Sequence, residues 1–168
     1  MMERVLIIGP CGAGKSALSS ALGARLGLPV FHMDKLYWKP GWVGCDRSDL
    51  QAMLHGICTT DRWLIDGHYG GTLGERLKRA DTVVYLDFPI RLCLWRVLRR
   101  IATWHGRPRP DMTEGCPERL DLGFILYLLR WNRGPRQRTE ESLRAFKGTL
   151  IRIRQPADLA LWMGSLLS

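Results

Sequence analysis

Residues 91–138 contain no lysine, and nowhere does the sequence show a CxxC pair or an apolar run approaching bilayer length. Each absence excludes something. A membrane-spanning helix needs about 20 consecutive apolar residues, whereas the longest clear run here, 124–129, has six. The five cysteines (Cys11, Cys45, Cys58, Cys93, Cys116) are odd in number and spread over 168 residues, so neither a zinc ribbon nor a full disulfide framework is expected. His32, His55, His68 and His105 form no HxxxH or HxH pair, which removes the common zinc arrangements. Repeats and low-complexity linkers are missing, and a 46% hydrophobic content rules out intrinsic disorder. The first apolar stretch, 5–8, is too short for a signal-peptide core. A cytoplasmic protein with no membrane partner is expected.

Positive charge is what the chain has in excess, formally +9 with a pI near 9.8. It is unevenly placed. Residues 1–90 carry +1, residues 139–168 carry +1, and residues 91–138 carry +7 from eleven arginines against four acids. Arginine forms planar, bidentate contacts with phosphate where lysine acts as a point charge. The arginine-only window therefore suggests phosphate binding, with a solubilising surface as the plainer alternative.

Short apolar runs alternate with helical spacing. Residues 5–8 read as a buried parallel strand, 16–26 as a helix ended by Gly27, and 29–33 as a second strand. A helix capped by Ser48 is predicted over 48–58, followed by strands at 63–65 and 82–86. Helices follow at 90–103, 118–131 and 140–146. A fifth strand over 149–153 and a helix over 156–167, with Pro156 in its first turn, complete the pattern. Such alternation builds a parallel sheet covered by helices on both faces, with ligands beyond the carboxyl ends of the strands. Gly9, Asp34, Asp66 and Asp87 all fall at those ends.

Gly9-Pro-Cys-Gly-Ala-Gly14-Lys15-Ser16 matches G-x-x-x-x-G-K-[ST] between a strand and a helix, the context this motif requires. Its glycines let the backbone curl into a nest of N–H groups at the positive end of a helix. Lys15 reaches the β- and γ-phosphates of a nucleotide, and the Ser16 hydroxyl ligates Mg²⁺. Cys11, inside the loop, has its thiol pKa lowered by the helix terminus or merely supplies a small side chain. NKxD and DxxG motifs are absent, and the length is short for most ATPase cores.

The remaining pattern resembles the nucleoside- and nucleotide-kinase branch of the P-loop proteins, which includes adenylate, cytidylate and shikimate kinases. Asp66-Gly67 resembles the start of the adenylate kinase Asp-Gly-Phe-Pro-Arg motif. His68-Tyr69-Gly70 follow instead, so the phosphate-binding Arg of that motif is missing and adenylate kinase activity itself is not expected. Three segments are similar to the bacterial adenylate-kinase-like DNA topology modulation proteins: Asp34-Lys-Leu-Tyr-Trp38-Lys-Pro-Gly-Trp42, Trp63-Leu-Ile-Asp-Gly67, and residues 80–89 through Asp87-Phe-Pro.

The resemblance implies one P-loop kinase-like domain over 1–168, a three-layer α/β/α fold with a five-stranded parallel sheet of order 2-3-1-4-5. Its core would be 1–100 and 139–168, with a helical, Arg-rich lid over about 101–138. It further implies ATP as co-substrate with Mg²⁺, and transfer of the γ-phosphate to a small nucleoside- or nucleotide-like acceptor. Gly9, Pro10, Cys11, Gly12, Ala13, Gly14, Lys15, Ser16 and Ala17 would bind the nucleotide. Ser16 and Asp66 would serve Mg²⁺. Arg96 and Arg100 would begin the lid, and Arg154, before Gln155-Pro156, would stand on the adenine side. Arg136, Arg138 and Arg144 would grip the transferring phosphoryl group, with Lys15, Asp34, Arg136 and Arg138 as the catalytic set.

Several alternatives stay open. Asp34 meets the acceptor hydroxyl, or it is a helix cap. Asp87, after four apolar residues, competes with Asp66 as the metal-side carboxylate and otherwise braces the P-loop. Tyr37, Trp38 and Trp42 stack on an acceptor or form a small satellite core. His68 in the cleft reads as a hydrogen-bonding or packing residue. Segment 104–110 reads as a lid tip, with nucleic-acid binding as the second choice. A protein of another class, a nucleotide-binding regulator that uses its basic surface on DNA, is the competing function.

Overall fold

A computed structural model describes residues 2–166 of the chain. The elements run β1 (Arg4–Ile8), α1 (Lys15–Leu26), β2 (Val30–His32), α2 (Met33–Tyr37), β3 (Trp38–Lys39), β4 (Val43–Gly44), α3 (Arg47–Cys58), β5 (Trp63–Asp66) and α4 (Gly70–Arg79). Then follow β6 (Thr82–Leu86), α5 (Ile90–Trp104), α6 (Leu122–Leu129), α7 (Pro135–Arg144), β7 (Thr149–Ile153) and α8 (Pro156–Ser165). Five strands form one parallel sheet, ordered β2-β5-β1-β6-β7. Counting only these five, the order is the expected 2-3-1-4-5, and helices cover both faces in an α/β architecture.

Strand β1 is central because it is apolar on both faces. Leu6 pairs in register with Ile65 of β5 and Val83 of β6. Val5 and Ile7 pack with Leu18, Leu22, Val97 and Leu128 on one side of the sheet. Leu6 and Ile8 pack with Leu50, Leu54, Leu73 and Leu77 on the other. Burying one such aliphatic side chain contributes about 1.5–3 kcal/mol, so the two half-cores fix the sheet, and the sheet fixes the strand ends that carry the polar residues. Asp81 braces the opposite edge, where its Oδ2 accepts the backbone N–H of Arg4 at 2.7 Å.

Several boundaries differ from the sequence reading. Helix α3 starts at Arg47 behind Asp46, not behind Ser48. Helix α6 spans only Leu122–Leu129, because Asp121 caps it by accepting the Phe124 N–H. Helix α7 begins at Pro135, five residues early, since proline suits a first helical turn. Helix α4 and the β3–β4 hairpin were not anticipated. Two glycines open α4 and mask its amphipathic period, while the hairpin strands have two residues each. Residue 167, the expected end of the last helix, lies outside the described residues.

Candidate functional site

The loop after β1 holds its shape because two glycines occupy places closed to any side chain. Gly9 has φ 140°, and a Cβ there would lie 2.4 Å from the Leu86 carbonyl oxygen. Gly12 has φ 81°, and its Cβ would lie 2.3 Å from the carbonyl oxygen of Cys93 in α5. Gly14 precedes the first turn of α1 in the left-handed region. Lys15 arches back over the loop, donating from Nζ to the Pro10 carbonyl at 2.9 Å. Arg96 reaches the same loop from α5, donating to the Ala13 carbonyl at 3.3 Å. Burial pushes the Cys11 thiol pKa up despite Lys15, which disfavours the lowered-pKa reading and leaves the small side chain.

Next to β1 in the sheet, β5 ends on Asp66, which is buried. Its Oδ2 accepts from the His32 Nδ1–H at 2.6 Å and meets the Ser19 hydroxyl one turn beyond Ser16. The hydrogen bond to Asp66 raises the His32 pKa against the opposing effect of burial, so a protonated ring is favoured beside the carboxylate. No protein donor engages Asp66 Oδ1 among the described residues.

Asp34 stands in the first turn of α2, just past the end of β2. Its Oδ1 accepts the Tyr69 hydroxyl at 2.7 Å. Tyr69 has φ 33°, a conformation costly for a residue with a Cβ. Burial, then the Asp34 charge, drives its phenol pKa far up, so Tyr69 stays a donor. His68, its neighbour, meets Trp131 edge-on with ring centroids 4.5 Å apart, and its Nε2 lies 3.3 Å from Thr139 Oγ1. Burial, with Lys15, Arg76 and Arg138 nearby, lowers the His68 pKa to about 3. It is a neutral ring.

The arginines divide by partner. Arg136 is bidentate on Asp87, and Arg152, which the sequence reading passed over, bonds Glu140 beside them. Arg100 and Arg109 converge on buried Glu118 at 3.2 and 2.8 Å. Arg138 is exposed and takes no carboxylate partner among the described residues, as does Arg144 at the end of α7. Arg154 lines a cavity of about 740 Å³ together with Asp87, Phe88, Asn132, Arg136 and Gln155. Asp87 is thus held by arginines of α7 and β7, with no hydrogen bond to the loop after β1 among the described residues.

Between α5 and α6, the loop 105–121 is bound to the β3–β4 hairpin. Trp42 donates from Nε1 to the Pro117 carbonyl at 3.0 Å, and Thr113 donates to the Trp38 carbonyl at 2.7 Å. The Gly41 N–H donates to the Gly115 carbonyl at 2.9 Å. Trp38 packs edge-on against Trp42 at 5.3 Å, and the Arg119 guanidinium lies over Trp42. Tyr37 joins these tryptophans, meeting Trp38 edge-on at 4.8 Å, and its other side faces Tyr69 at 5.4 Å, towards Asp34. Helices α5 and α7 run through positions 100 and 138, the expected edges of the lid.

No family model matches the chain. It is 29% identical over 135 residues to the shikimate kinase of Pseudomonas savastanoi pv. phaseolicola, an alignment covering 71% of this chain and 74% of that protein. The shikimate kinase of Pseudomonas syringae pv. syringae is 27% identical over the same length and shares. Among solved structures, shikimate kinase from Acinetobacter baumannii in complex with shikimate aligns with a TM-score of 0.58 and 22% identity, over 99% of this chain and 93% of that one. Deoxyadenosine kinase from M. mycoides with bound dATP aligns with a TM-score of 0.60 and 12% identity, over 98% and 99%. The likeness to these structures is one of fold, a five-stranded parallel sheet with helices on both faces.

Proposed function

We propose that the chain is an ATP-dependent kinase that transfers the γ-phosphate to a hydroxyl of a small molecule. One observation carries the reading: the glycine-shaped loop with Lys15 folded over it, Asp66 at the end of β5 and Asp34 just past the end of β2 all stand at the carboxyl ends of neighbouring strands. A polyphosphate suits the loop and its lysine, and a neutral hydroxyl suits Asp34. Asp34 accepts the acceptor's O–H hydrogen bond and takes its proton as the new O–P bond forms. The bond from the γ-phosphorus to the β–γ bridging oxygen breaks, and ADP leaves. Lys15 and the loop amides hold the phosphates in line, which is most of what phosphoryl transfer requires.

Hard oxygen donors fit Mg²⁺, which binds through one or two protein oxygens, phosphate and water. Ser16 and Asp66, through the Oδ1 that no protein donor engages, would hold it; when bound it would neutralise charge on the phosphates. Arg154 lines the cavity on the side we assign to the adenine, beside Arg136. We assign residues 101–138 to a lid that excludes water, with Arg138 free to reach the phosphoryl group. Residues 34–42 and 63–67 support a place near the DNA topology modulation proteins.

A panel of nucleosides (deoxyadenosine among them), nucleotides and shikimate, offered with Mg-ATP, tests the reading. Acceptor-dependent ADP release that disappears in Lys15→Ala is expected. A second reading, a nucleotide-binding regulator on DNA, is favoured by the exposure of Arg91, Arg99, Arg107, Arg130 and Arg133, none with a carboxylate partner among the described residues. No acceptor-dependent release, together with steeply salt-dependent DNA binding, would decide for it.

A further inference from the structure

Arg76 has no exposure at all, which makes it the most deeply buried charged side chain among the described residues. It lies in α4 between Leu73 and Leu77, which pack into the half-core beneath that helix. None of its hydrogen-bond partners is a carboxylate. Nη1 donates to the Gly67 carbonyl at 2.9 Å, and Nη2 donates to the carbonyls of His68 at 2.6 Å and Tyr69 at 3.0 Å. One guanidinium therefore ties down three consecutive peptide groups. Burial lowers its pKa to about 10, a sign of how costly the charge is in this place. An apolar side chain of similar volume would fill the space but leave these carbonyls without their donor. The cost brings geometry.

The turn it holds touches the helix that carries Asp34 at two points. Gly67, at φ 124°, presses so closely on α2 that a Cβ would lie 2.5 Å from the Met33 Cβ. Tyr69 spans from the same turn to Asp34 Oδ1. Its φ of 33° persists only if the surroundings over-determine it, and the Arg76 bonds to the carbonyls of 67–69 do so.

We propose that Arg76 is a positioning residue: it fixes the 67–69 turn so that Tyr69 holds Asp34 by Oδ1 and leaves Oδ2 to meet the acceptor hydroxyl. The functional part rests on the kinase reading of Asp34; the geometric part does not. Without Arg76 the turn relaxes, Tyr69 leaves its left-handed conformation, and the carboxylate loses its aim. A small misplacement of this kind lowers turnover by roughly ten- to a hundredfold.

The test follows the Asp34 carboxyl carbon by NMR in aspartate-labelled protein, its resonance assigned with Asp34→Asn. Arg76→Met and Tyr69→Phe should move that resonance alike, the double variant no further, with the Asp87 resonance unmoved. Arg76→Lys replaces Arg76→Met if the latter does not fold. An Asp34 resonance that stays at its wild-type position when Arg76 is replaced overturns the proposal, whatever the turnover. In acceptor-dependent turnover, both single variants should lose kcat with binding of a fluorescent ATP analogue unchanged within about twofold, and the double variant should lose no more than the worse single. Losses that multiply would also overturn it, since they assign Arg76 to stability alone. Turnover indifferent to Asp34→Asn would instead count against the kinase reading, and leave the resonance test standing.

Discussion

Arg136 grips Asp87 through two hydrogen bonds of 2.9 Å, from Nε and from Nη2, and so ties helix α7 to the end of strand β6. Arg152 of β7 stands 3.7 Å from the same carboxylate and bonds Glu140 of α7. The network joins three elements where the cavity lined by Arg154 opens. An arginine expected to grip phosphate thus has a protein anion as its partner.

Burial works against an ionised Asp87, yet the hydrogen bonds and charge of Arg136, with Arg152 beyond, hold its carboxyl below the usual range. A carboxyl with a folded pKa below its unfolded value contributes stability above the unfolded pKa, and loses it as pH falls through the folded one. Stability in urea should therefore fall as pH drops below about 4. Asp87→Asn should cost about 1.5–3 kcal/mol near neutrality and flatten that acid limb. An acid limb identical to wild type would show that Asp87 contributes nothing through its charge.

Gly12→Ala should abolish nucleotide binding, measured with a fluorescent ATP analogue, and lower the thermal midpoint. The added methyl would lie 2.3 Å from a helix carbonyl, and backbone cannot yield as a flexible side chain can. Gly27→Ala is the control. Gly27 ends α1 at φ 61° with nothing within 4 Å of the new methyl, so it should cost only about 1 kcal/mol and leave nucleotide binding intact.

Trp42→Phe and Thr113→Val each remove one bond between the hairpin and loop 105–121, at about 1 kcal/mol. Hydrogen exchange at Gly41 N–H, which donates to the Gly115 carbonyl, should quicken in both variants, while exchange in β1 stays unchanged. Equal quickening in β1 would mean that the contact belongs to the global fold and not to a local unit.

His68 should show no ring titration between pH 5 and 8, because burial and three neighbouring cations lower its pKa to about 3. A histidine NMR titration checks this. A midpoint near the ordinary 6.5 would place the ring in water.

The shape of the loop after β1 was legible in the sequence because its requirements are local. Glycines with forbidden Cβ positions and a lysine at fixed spacing declare themselves without tertiary information. The sheet was legible because a strand buried on both faces must be apolar throughout, as residues 5–8 are. Partner choice was not legible. Arg100 and Arg136 look alike in sequence, and only the fold brings Glu118 to one and Asp87 to the other. Arg76 stayed hidden because α4 itself was missed. An arginine among Gly, Glu and Lys reads as a solvated face until the turn it underlies is seen.

Phosphorus NMR of a reaction holding Mg-ATP and the acceptor panel tests the central claim most directly, by showing where the γ-phosphorus goes. It should move onto an organic oxygen in wild-type protein, and much more slowly in Asp34→Asn at undiminished nucleotide affinity. Inorganic phosphate as the sole product, at a rate indifferent to both the acceptor and Asp34, would contradict the account.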